Sequence, residues 1–137
     1  MKNIIVIFTL IIFLSCHKED FNERIQNKWI LIEIQDIETG VSLDYLDDIY
    51  KKTEIEFMDS SKIIFKGICN SKTGSFFIAN DSINISLANK GIGCVEEFKV
   101  LEEKTINNLS SAHKFDINWN KLFIYSFDNV SIWKREK

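Results

Sequence analysis

One change of hydrophobic period decides what this chain can fold into. Between Thr53 and Lys134 apolar residues recur at every second position in short runs, except across Cys94–Ala112, where they follow a helical period. On a helical wheel Leu101, Ala112, Thr105, Phe98, Leu109, Val95 and Ile106 share an arc of about 140°, the width of a face lying on a sheet. Glu102 falls inside that arc; it reaches the helix edge, the preferred reading, or pairs with a lysine or lines a cavity. Around this helix the strands come in pairs. Glu54–Phe57 alternates, Asp59-Ser60-Ser61 turns, and Lys62–Cys69 returns with Ile63 and Phe65 on one face. Gly74–Ala79 and Ser82–Leu87 flank Asn80-Asp81, and the second sets Ile83, Ile85 and Leu87 against a polar face of Ser82, Asn84 and Ser86. Phe115–Asn118, Leu122–Phe127 and Val130–Lys134 complete the set with turns near Asn120 and Asp128-Asn129. Earlier in the chain, Trp29–Ile37 reads as a strand buried on much of both sides. Phe21, Ile25 and Trp29, with Asp20 and Glu23 at capping-box spacing, suggest a short helix before it. Ser42–Lys52 reads as another short helix. About eight strands and one principal helix predict a mainly β fold. It is a small antiparallel barrel-like meander with the helix covering an opening, because closure is how such a sheet disposes of its edges.

The first fifteen residues are a separate object. Lys2 supplies a charge, Ile4–Leu14 is apolar but for Thr9, and Ser15-Cys16 closes the run. A spanning helix needs about 20 apolar residues, and His17-Lys18-Glu19-Asp20 stops this one short, so it reads as a cleaved signal peptide. Phe13-Leu14-Ser15-Cys16 resembles a bacterial lipobox, which implies lipid attachment at Cys16 and a membrane anchor. Lys18-Glu19-Asp20 resembles the Lys plus acidic pair of surface-exported lipoproteins in Bacteroidetes. The expected location is therefore the outer membrane, with surface exposure as an extension. Residues 1–15 are then the signal peptide, 16–27 a tether with the short helix, and 28–137 one domain.

Eleven Phe, three Trp and three Tyr in 137 residues supply the apolar bulk of one core and exclude a disordered chain. A net charge of -3, with no basic stripe, excludes nucleic acid as a natural partner. Outside the cytoplasm the two remaining cysteines, Cys69 and Cys94, are expected to form a disulfide; two buried thiols are the alternative.

The inventory for catalysis is thin. His113 is the one histidine beyond the leader and tether, and just past the helix stripe it suits a dipole partner better than the base of a Cys-His enzyme. Two cysteines and one histidine lack the spacing of a zinc site. Gly91-Ile92-Gly93 is a turn and not a phosphate cradle, Glu96, Glu97, Glu102 and Glu103 are helix charges, and Asp44, Asp47 and Asp48 lack a chelating loop for calcium. No catalytic residue, metal or cofactor is expected.

Trp29-Ile30-Leu31, Phe65-Lys66-Gly67-Ile68-Cys69-Asn70, Gly74-Ser75-Phe76 and a cysteine opening the helix together resemble the META-domain family that includes HslJ-like lipoproteins. The resemblance implies a small β-barrel-like envelope domain associated with stress or antibiotic tolerance, related in shape to lipid-binding secretin pilotins, and without established catalytic residues. Two function classes follow. The first is a non-enzymatic module that meets another envelope component through its exterior or a sheet edge. The second is a barrel in which Phe76, Phe77, Trp119, Phe123, Tyr125 and Trp133 line a cavity for a lipid or similar apolar ligand. Aromatic residues in a barrel are more often core, which favours the first. Oligomeric state is open.

Overall fold

Eight strands in chain order close on themselves: in the computed structural model each pairs with the next, and the last pairs with the first. The structure describes residues 21–42, 53–88, 91 and 93–137. The leader and Cys16, the helix expected over Ser42–Lys52 with Asp44, Asp47 and Asp48, and Ile92 between the two glycines lie outside the described residues, Ser42 excepted.

Helix α1 (Phe21–Ile25) leads into β1 (Lys28–Asp36), followed by β2 (Glu54–Phe57), β3 (Lys62–Lys66), β4 (Ser71–Ala79) and β5 (Ser82–Leu87). Helix α2 (Glu96–Ser110) then precedes β6 (Lys114–Asn118), β7 (Lys121–Tyr125) and β8 (Asn129–Arg135). All pairings are antiparallel. Period-two patterning puts alternate residues inside, among them Ile55, Ile63, Phe65, Ile83, Ile124 and Trp133. Ser82, Asn84 and Ser86 face water as expected.

Closure is uneven. The seam between β1 and β8 runs from Trp29↔Arg135 to Asp36↔Asn129. Between β5 and β6 the register holds only Ser82↔Lys114. Helix α2 lies where this pairing fails and packs on β5, β7 and β8, so its apolar stripe replaces a missing stretch of sheet.

Strand β1 departs from the expected two-sided burial. Its register shifts between Leu31 and Glu33, so one extra residue changes the phase of the strand. Trp29, Leu31 and Ile34 consequently share the core, while Ile32 is exposed. Strand β3 stops at Lys66, three residues before Cys69, because the chain turns at Gly67. The amide of Gly67 donates to the carbonyl of Asn70 in that turn. Helix α1 packs against the barrel: Ile25 is fully buried, its carbonyl accepts the Trp29 indole N–H at 2.9 Å, and Arg24 donates to the carbonyl of Ile117.

Candidate functional site

Helix α2 is held at its start by a covalent and polar clamp. Cys69, in the β3–β4 turn, is bonded to Cys94, just ahead of α2, with Cα atoms 5.6 Å apart, within the span a disulfide bridges. Beside this bond stands Glu102, 5% exposed. Its Oε2 accepts the backbone N–H of Cys69 at 2.7 Å and of Asn70 at 3.2 Å, and its Oε1 accepts from the Asn70 side-chain amide at 2.6 Å. Gly67 makes this approach possible, since a Cβ there would collide with the Glu102 carboxylate and the Phe65 ring. The preferred helix-edge placement of Glu102 is therefore corrected. The carboxylate faces inward because three donors of the turn compensate its desolvation.

A second polar chain fixes the middle and end of α2. The Trp133 indole donates to Ser131 Oγ, which donates to Asn108 Oδ1; Asn108 Nδ2 donates in turn to Ser126 Oγ and the Asn129 carbonyl. Asn108 is 2% exposed and escaped sequence reasoning, which ranks helix positions by hydrophobicity. The available signal was its position seven residues after Leu101 and one before Leu109, on the buried stripe. At the other end of that stripe Val95 is exposed and Phe98 half-buried, because the first turn of α2 overhangs the barrel.

The six aromatic residues proposed to line one cavity do not converge. Phe76 and Trp133 are buried in the core, Phe76 edge-on to Phe57 at 5.0 Å, with the Trp133 N–H satisfied internally. Phe77 is 68% exposed on the opposite face of β4, and Trp119 is 90% exposed in the β6–β7 turn. Phe123 and Tyr125 alternate with the inward Leu122 and Ile124 and therefore face outward, half-buried. Strand alternation and a turn thus divide the set between inside and outside. Among the described residues two open clefts flank α2: one of about 310 Å³ beside the disulfide and Glu102, the other of about 320 Å³ beside Asn108 and Asn129.

His113 is not the helix-dipole partner expected. It is exposed and stacks on Phe127 with ring centroids 5.1 Å apart, while Ser111 satisfies the Asn107 carbonyl. The 15-residue α2, roughly 22 Å long, separates it from Cys94. Among the described residues no group of three or more His, Cys, Asp or Glu is placed to hold a metal, and no helix is long and apolar enough to cross a membrane.

The META domain family model matches residues 23–136. No curated protein matches the chain. Among solved structures, a DUF4847 family protein from Bacteroides vulgatus superposes with a TM-score of 0.67 at 11% identity, over 82% of this chain and 94% of its own. A protein from Burkholderia xenovorans gives a TM-score of 0.70 at 11% identity, over 85% of this chain and 86% of its own. At such identities the likeness is one of fold.

Proposed function

This chain belongs to the META domain family, and on that premise we propose that it is a lipid-anchored, non-enzymatic module of the cell envelope, located at the outer membrane, that acts through its exterior. The observation that carries this reading is the division of the large side chains. Trp29, Phe57, Phe65, Phe115 and Trp133 fill the barrel, while Phe77, Trp119 and Phe127 are displayed outside it. A carrier of apolar ligands needs the reverse, an interior lined by rings and left open. The oxidised Cys69–Cys94 pair offers no thiolate, and the length of α2 removes His113 from it. The leader and Cys16 supply the envelope and anchor part of the reading.

Native mass spectrometry of the full-length protein from its own membrane tests both parts. The expected species begins at acylated Cys16 and carries a protein partner. A stoichiometric apolar small molecule that stays bound after delipidation would overturn the exterior-acting reading. Normal cleavage and membrane retention of a Cys16→Ala variant would overturn the anchor.

A further inference from the structure

We propose that the β6–β7 turn docks on the bilayer, with Trp119 seated among the headgroups and Lys121 and Lys134 against anionic lipid. The inference rests on the anchored reading above and adds the orientation of the barrel on its membrane. Cys16 and Phe21 are five residues apart, a reach of about 17 Å at full extension. An acylated Cys16 therefore holds α1 close to the bilayer surface. Arg24 of α1 donates to the carbonyl of Ile117, two residues before Trp119, and Arg135 at the end of β8 donates its backbone N–H to Asn120. The tether and the Trp119 turn thus share one end of the barrel.

Three features of that end suit a lipid surface. Trp119 is 90% exposed, and an indole with one apolar body and one N–H donor partitions to the membrane interface. Its φ of 57° places a bulky residue in left-handed backbone, in a two-residue turn where Gly, Asn or Asp is usual. Lys121 and Lys134 sit directly opposite each other on adjacent strands, an arrangement that repels, and among the described residues neither forms an ion pair. Anionic headgroups would relieve this repulsion. Nearby carboxylates are Asp116, on the same outer face and diagonal to Lys121 across the β6–β7 ladder, and Glu136, two residues beyond Lys134 and engaged by Lys28 at 3.0 Å.

Trp29 and Trp133 are fully buried, so Trp119 provides a separable fluorescence signal. The acylated full-length protein is reconstituted in vesicles of phosphatidylethanolamine and phosphatidylglycerol, with and without brominated acyl chains, beside Trp119→Phe. The wild type minus variant spectrum should shift to the blue and be quenched by bromine, which requires contact that tethering alone does not supply. Lys121→Glu/Lys134→Glu should lose most of that quenching; full retention would overturn the role of the lysines. An unshifted, unquenched Trp119 signal in a protein whose intact mass includes the acyl chains overturns docking and leaves the anchor standing. An intact mass without acyl chains overturns the anchor itself, and the orientation with it.

Discussion

Glu102 is a carboxylate used as a backbone acceptor, and its substitutions separate charge from geometry. Glu102→Ala strands the amides of Cys69 and Asn70 beside the disulfide and should cost about 3 kcal/mol in chemical denaturation. Glu102→Gln can keep both amides on its carbonyl oxygen, with the Asn70 side-chain amide turned over, and should cost about 1 kcal/mol. Equal losses would mean that buried charge itself matters more than the bonds. The wheel placed Glu102 inside the buried arc, but its role was illegible because its partners lie 32 and 33 residues away. Trp119 argues in the opposite direction. Relief of the left-handed backbone in Trp119→Gly should raise stability by about 1 kcal/mol, as expected where display of a ring opposes folding. Asp36 carries a pH signature. The Thr39 backbone N–H and hydroxyl hold its carboxyl below the usual range, so its contribution is present above the unfolded pKa and lost as pH falls through the folded one. The gap in thermal midpoint between wild type and Asp36→Asn should be widest near neutrality and close as pH drops below about 4.

Among the elements, α2 depends most on contacts beyond its own sequence. Its existence and stripe were legible, since period alone separates it from the strands; its tilt was not, because Asn108 and Glu102 join the stripe through hydrogen bonds that hydropathy cannot see. The Cys69–Cys94 bond spans 25 residues and should limit the unfolded chain by about 3 kcal/mol. Cys69→Ser, Cys94→Ser and the double variant should therefore lose nearly the same stability. Additive losses would point instead to two independent packing contributions. Strand β1 teaches the complementary limit. Every apolar residue from Trp29 to Ile34 was visible, yet a bulge at Ile32 changed which of them share a face, and a bulge has no hydropathy signature. Gly74 marks the opposite case, where the absence of a side chain is structural: a Cβ there would overlap the Ser86 carbonyl on β5.

For the whole molecule, eight strands with too little helix to cover an open sheet made a closed barrel legible, whereas where it closes poorly was set by long-range register. That uneven closure determines how the protein opens. Along β1 and β8 the ladder is long, and Lys28 reinforces it by reaching Glu54 on β2 and Glu136 beyond β8. Between β5 and β6 a single register pair is supplemented by the amides of Ile83 and Phe115 bonding the carbonyls of His113 and Asp81. Helix α2 bridges this gap, and the disulfide holds its start to the β3–β4 turn. Separation of β5 from β6 therefore breaks fewer backbone bonds than separation of any other neighbouring strands. Hydrogen exchange followed by mass spectrometry should show α2, β5 and the start of β6 exchanging before β7, β8 and β1. Reduction of Cys69–Cys94 should accelerate α2 and β5 selectively, since it frees the helix start without touching the β1–β8 ladder. If reduction instead speeds exchange uniformly around the barrel, opening is global, and the weak seam has no energetic identity of its own.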